Sequence, residues 1–212
     1  MNAPDVPRPA ELSRHHTAIL VMDLVESVRL MEADEAELVD SWRAFVRHAR
    51  DEVLPRLGGR LVKSLGDGIM AEFGSASQAA AAAMELHRFF DAGNRELAPE
   101  RRRRLRAGLN RSEVYADELD IYGAGVNLAS RVATLAGPGE TMVTAAIARA
   151  LDGDAAFPLA DMGDCYLKHV SHPVRVYRLG AAGEQPLLHR DDRPEAFVPR
   201  VAVWPVQAPA GH

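Results

Sequence analysis

The sequence predicts an α+β fold of the ferredoxin-like βαββαβ kind, with helices on one side of the sheet. Three observations carry this. An apolar run ending in an acid precedes a long helical-period stretch. Two apolar runs then meet at Gly66-Asp67-Gly68. A second helical stretch follows and returns to a strand. In order, "TAILVMD" (17–23) is a short continuous apolar run, the pattern of a buried strand. From Ser27 to Leu57 the apolar residues Leu38, Trp42, Phe45, Val46, Ala49, Val53 and Leu54 recur at three and four residues, which is helical. Gly58-Gly59 stops that helix. "VKSLGDGIMAEF" reads as a hairpin, roughly 60–66 and 68–73, because Gly accepts the positive φ of a tight turn. Ser75 to Phe90 is Ala-rich and helical, with Ser75 or Ser77 as its cap. "RRRRLRAGLN" opens polar and becomes a strand near 105–110. That order of six elements is the split βαβ arrangement. Beyond it come a helix over 123–135, a short strand in "ETMVT" and a short helix in "TAAIARAL". A terminal strand pair lies in "YLKHVSHPVRVYRL", with its turn at His172-Pro173.

A chain of 212 residues allows one good-sized domain plus tails. Residues 1–15 read as a flexible Pro-rich arm, 16–180 as the domain and 181–212 as a linker or tail. "RVAVWPV" in that tail reads as a strand that begins a further domain. The net charge of −5 argues against nucleic acid as a partner, which calls for a basic balance. It leaves nucleotides open, since metals and a few local cations can meet their charge. The single cysteine, Cys165, allows no internal disulfide and suits a reducing cytoplasm. No stretch reaches the roughly 18 continuous apolar residues of a membrane span, so the chain reads as soluble.

The polar residues fall at telling places. Asp23 ends the first strand, Asp67 tips the hairpin, and Lys63 precedes it by four residues. Asn127 and Arg131 lie four apart and share one helix face, among apolar Val126, Leu128, Val132 and Leu135. Read together, "AILVMDLVESVRLM", "GGRLVKSLGDGIMAEF" and "DIYGAGVNLASRV" resemble the class III adenylyl/guanylyl cyclase catalytic domain, over about 17–179. The resemblance implies that family's architecture, and ATP as substrate. It implies that Asp23, Asp67 and the carbonyl of Leu24 hold two divalent metal ions, Mg²⁺ or Mn²⁺. Two hard carboxylates on different strands suit a metal pair roughly 4 Å apart. Lys63 and Asp120 fall where adenine-selective members carry Lys and Asp. A donor-only ammonium meets adenine N1, and an acceptor-only carboxylate takes the 6-amino protons. The resemblance further gives Asn127 the ribose, Arg131 the charge at the α-phosphate, and Lys168 the terminal phosphates. A guanidinium fork, always charged, suits the α-phosphate. It also implies a homodimer with shared sites. One chain would supply Asp23 and Asp67, the other Lys63, Asp120, Asn127 and Arg131.

Three positions depart from that family's pattern. Glu26, Ser112 and His169 stand where glycine is usual, and each could reduce turnover or ATP affinity. Two other readings stay open: a cyclase-homology domain that binds nucleotide weakly as a regulatory dimer module, and a ligand-free ferredoxin-like interaction module. "RRRRLR" (101–106) reads as a solvated loop feeding a strand, and Cys165 as packed in the sheet. His15 and His16 show no ligand spacing.

Overall fold

The structure, a computed structural model, describes residues 12–180. Strand β1 (Ser13–Leu24) alternates its apolar side chains between two faces, and each face builds a core. Ala18, Leu20 and Met22 enter the larger core, while Ile19 and Val21 enter a second one on the opposite side. This two-sided burial is why the run is continuously apolar. Helix α1 (Ser27–His48) continues through a π turn (Ala49–Val53) into the three-residue α2 (Leu54–Arg56). Gly58, at φ 66°, ends it as expected. β2 (Gly59–Leu65) and β3 (Gly68–Phe73) form the hairpin, with Gly66 at φ 62° in the turn. α3 (Ala76–Asn94) is capped by Ser75, whose hydroxyl accepts a hydrogen bond from the Gln78 N–H at 3.2 Å. A 3₁₀ turn (Pro99–Arg101) leads into β4 (Leu105–Ala116). β5 (Ile121–Tyr122), α4 (Ala124–Ala133), β6 (Thr141–Thr144), α5 (Ala145–Ala150), β7 (Leu159–Cys165) and β8 (Val174–Leu179) follow.

All eight strands form one sheet in the order β2-β3-β1-β4-β6-β8-β7, with β5 paired to β4. The first four, β2-β3-β1-β4, each run antiparallel to the next, which is the ferredoxin-like core; β6 then adds parallel to β4. The expected α+β class holds, but the placement of helices differs in one respect. Helices α1, α3 and α5 contribute to the larger core, whereas α4 packs on the opposite face with Ile19, Val21 and Met70. Gly108 permits this: a Cβ there would meet the Ala133 nitrogen at 2.3 Å and the Ala129 carbonyl oxygen at 2.4 Å. Helix α4 therefore rests directly on the backbone of β4.

Two further expectations are corrected. β8 does not pair with "YLKHV". Its partners are β6 and β7, and 166–173 is a connecting loop. β7 is a half-exposed strand at the sheet's edge, with a bulge at Met162 between Asp161 and Gly163, so it lacks the alternation that marks a strand in sequence. The long helix is also broken. Asp34 has non-helical angles (φ −165°, ψ 87°), and its carboxylate caps the second segment through the Glu37 N–H at 3.1 Å. The strand expected in "RVAVWPV" falls outside the described residues.

Candidate active site

Asp23 and Asp67 are neighbours because β1 and β3 pair. Asp23 lies opposite Gly68, and the Leu24 N–H donates to the Asp67 carbonyl at 2.9 Å. Along β1, Asp23 alternates onto the α4 side with Ile19 and Val21. Both carboxylates have partners. The Ser27 hydroxyl donates to Asp67 Oδ2 at 2.5 Å. Arg106, the residue opposite Asp23 on β4, holds it with both arms of its fork: Nε to Oδ1 at 2.6 Å and Nη2 to Oδ2 at 3.2 Å. Sequence reading missed Arg106 and took its run for a solvated loop. That run is instead committed to acids: Arg101 pairs with Asp34 and Glu37, and Arg103 with Glu37. The signal was present in the alternation, since Leu105 and Ala107 are buried and Arg106 between them must face the other way.

Lys63 is aimed by a bulge. The pairing of β2 with β3 shifts between Leu61 and Lys63, so Val62 has no partner of its own. Val62 packs against the α4-side core, and Lys63 lies opposite Met70, which belongs to that same core. Two successive side chains thus serve one face, which a regular strand forbids. Lys63 Nζ reaches Asp120 Oδ2 at 2.6 Å, both side chains being partly buried. Asp120 is fixed in turn. Its own Oδ1 accepts the Ile121 N–H, and its N–H donates to Asp117 Oδ1, each at 2.8 Å. The N–H groups of Leu119 and Asp120 hold the Asp117 carboxyl below its usual pKa.

Asn127 and Arg131 are exposed on α4 and share one cleft with Lys168, a cavity of about 790 Å³ between α4, β4, α5 and the β7–β8 loop. Arg111, His169 and Arg175 add cationic or titratable groups, and among the described residues no carboxylate lines it. Arg175 is already paired with Asp161 at 2.5 Å. The charged side chains of its lining are therefore cationic or titratable. Neither Asp23 and Asp67 nor Lys63 and Asp120 line it. The expected site residues therefore form three groups: the acid pair, the Lys63–Asp120 pair, and the cleft.

All three departures from glycine leave physical marks. Glu26 (φ 55°) and His169 (φ 63°) are the non-glycine residues at positive φ among those described. The Ser112 hydroxyl is buried without a hydrogen-bond partner.

Residues 11–181 match the profile of the adenylate and guanylate cyclase catalytic domain. The chain belongs to that family. It is 31% identical over 204 residues to putative adenylate cyclase 3 of Rhizobium meliloti, covering 94% of this chain and 35% of that protein. It is 34% identical over 142 residues to an adenylate cyclase of Streptomyces coelicolor, covering 66% and 35%. The chain thus spans about a third of the length of these relatives. Among solved structures, an adenylate/guanylate cyclase/hydrolase from Silicibacter pomeroyi superposes with a TM-score of 0.73 at 27% identity, covering 80% of this chain and 98% of that one. The adenylyl cyclase CyaB from P. aeruginosa (0.70, 21% identity, 80% and 96%) shares the fold. So this cyclase domain has its family's fold.

The residues present fit the divalent metals used in this family. Among the described residues no three His, Cys, Asp or Glu side chains gather as a closed metal cage. Asp23 and Asp67, brought to neighbouring strand ends by the pairing of β1 with β3, would supply carboxylate oxygens to such an ion, with its remaining ligands coming from a nucleotide and water.

Proposed function

We propose that this chain is an adenylate cyclase catalytic domain that converts ATP to 3′,5′-cyclic AMP and pyrophosphate. The observation that carries the reading is the Lys63–Asp120 pair at 2.6 Å. A fixed donor beside a fixed acceptor matches the edge of adenine, and guanine reverses that edge. Arg131 and Lys168 bind the triphosphate in the carboxylate-free cleft, and Asn127 orients the ribose. The ribose 3′-oxygen attacks the α-phosphorus and loses its proton to water or to a phosphate oxygen. The bond from the α-phosphorus to the bridging oxygen breaks, and pyrophosphate leaves with that electron pair. Arg131 stabilises the charge that accumulates at the α-phosphate. Two divalent ions held by Asp23, Asp67 and the Leu24 carbonyl would acidify the 3′-hydroxyl and neutralise the polyphosphate.

The working unit is a homodimer with shared sites, and two observations support this. Neither Asp23 and Asp67 nor Lys63 and Asp120 line the cleft that Asn127, Arg131 and Lys168 share within one chain. The β4–β5 hairpin also exposes Tyr115, Tyr122 and Leu119, the last at 83%, as apolar surface for a second copy. No described helix is long and apolar enough to cross a membrane. The cytoplasm is the proposed site of action, where ATP is available and Cys165 stays reduced.

A second reading, a weakly active regulatory homologue, draws on the strained Glu26 and His169 and the orphaned Ser112 hydroxyl. One assay separates the two. ATP or GTP is incubated with Mn²⁺ and the products are separated chromatographically. The cyclase reading expects cyclic AMP, with kcat/KM for ATP well above that for GTP, since each mismatched buried polar group costs about 1–3 kcal/mol. Equal values for the two nucleotides would sink the role given to Lys63 and Asp120. Absence of any cyclic product would favour the regulatory reading.

A further inference from the structure

We propose that Arg106 is a built-in cation that occupies the Asp23 end of the metal site until nucleotide arrives, so that metal and nucleotide must bind together. The inference rests on the metal role given to Asp23 above. Arg106 spends two donors on Asp23, one on each oxygen, at 2.6 and 3.2 Å. Bidentate guanidinium–carboxylate pairs are among the strong hydrogen-bonded contacts. The pair is not a chance meeting of loops. Asp23 and Arg106 are cross-strand partners in a ladder that runs from Ser13 to Leu24 along β1. Both side chains are partly shielded, at 33% and 25% exposure, so water screens them incompletely.

A hard cation that ligates Asp23 competes with this guanidinium for the same lone pairs. Without a polyphosphate, the metal must displace Arg106 into a site that offers the displaced charge no new partner, and binding is weak. With a triphosphate present, its negative charge favours both the incoming metal and the released guanidinium. The sheet therefore couples the two ligands. Such coupling is reciprocal: metal raises nucleotide affinity by the same factor. Asp67 lacks this device, since its partner is the neutral Ser27 hydroxyl, which can turn aside without a charge penalty.

The test is Mn²⁺ binding to the full chain without nucleotide, read by the loss of the free-ion electron paramagnetic resonance signal. Melting with and without Mn²⁺ gives an independent readout. Wild type should bind Mn²⁺ weakly and gain little in Tm. Arg106→Ala should bind roughly tenfold or more tightly and gain in Tm. Arg106→Lys, which keeps a charge but not the fork, should fall between and guards against a folding defect in the alanine variant. The double variant Asp23→Asn/Arg106→Ala should lose the gain. Unchanged or weaker Mn²⁺ binding in both Arg106 variants overturns the inference. If wild type and variants all fail to bind Mn²⁺ even with ATP present, the metal role of Asp23 falls, and the inference with it.

Discussion

Glu26 opens α1 in a left-handed conformation, and its carboxylate lies 2.7–2.8 Å from Arg29. For an L-residue that backbone costs about 1–2 kcal/mol, which glycine does not incur. The exposed ion pair returns less than that. Glu26→Gly should therefore stabilise the domain by about 1 kcal/mol and raise Tm by about 2–4 °C in differential scanning calorimetry. ATP affinity should rise with it, because a negative charge beside the Asp23 loop is gone. A variant that melts no higher than wild type contradicts this account of position 26. His87 offers a different lever. Burial against β6, where its ring hydrogen-bonds to the Thr141 hydroxyl at 2.9 Å, pushes its pKa down to about 4, partly offset by a hydrogen bond with the Glu140 backbone. The folded state keeps the ring neutral, while the unfolded chain protonates near pH 6.5. Its contribution is therefore whole above about pH 6.5 and is lost as the pH falls toward about 4. The slope is at most about 1.4 kcal/mol per pH unit. Urea melts at pH 7.5 and 5.0 should show a smaller difference for His87→Gln than for wild type. Parallel profiles would mean the ring titrates normally.

At the scale of elements, α4 and β4 meet through two glycines. A Cβ on Gly125 would lie 1.7 Å from the Ser112 hydroxyl. Gly125→Ala should cost about 1–3 kcal/mol through overpacking. Ser112→Gly should rescue most of it, since it removes the clashing group together with an unpaired buried hydroxyl. A double-mutant cycle in urea should yield a coupling of at least about 1 kcal/mol, and additive effects would show that the two positions do not touch. The same elements show what the sequence could and could not reveal. β1, the hairpin and α3 were legible, because their apolar periods and turn glycines are local signals. β7 was not, since it is an edge strand whose few apolar residues, Leu159, Met162 and Cys165, are thrown out of alternation by a bulge between Asp161 and Gly163. The face chosen by α4 was not legible either, because an amphipathic pattern says that a helix packs, not on which side of a sheet. Asp23, Asp67 and the Lys63–Asp120 pair could be picked out by resemblance, and the structure brings the members of each pair together. Arg106 escaped, for its partner lies 83 residues away along the chain and only the β1–β4 register brings them together.

At the scale of the whole molecule, the separation of the acid pair from the cleft makes subunit mixing decisive. Lys63→Ala and Asp67→Ala chains should each be nearly inactive alone. In a heterodimer one site collects both defects and the other has neither. Mixing the two variants, with exchange confirmed by differently tagged chains, should restore a substantial fraction of wild-type activity. Confirmed exchange without recovery would show that each site is built within one chain.

The bulge at Val62 has a consequence at the level of the gene. Strand β2 carries one residue more than β3 needs, and the pairings on either side of Val62 stay in step without it. A missense change at this codon only trims a side chain from the second core. An in-frame loss of the codon would leave a regular ladder with Lys63 still opposite Met70, and the second core would lose the Val62 side chain. This stretch of the gene can therefore lose one codon without throwing the rest of the hairpin out of register.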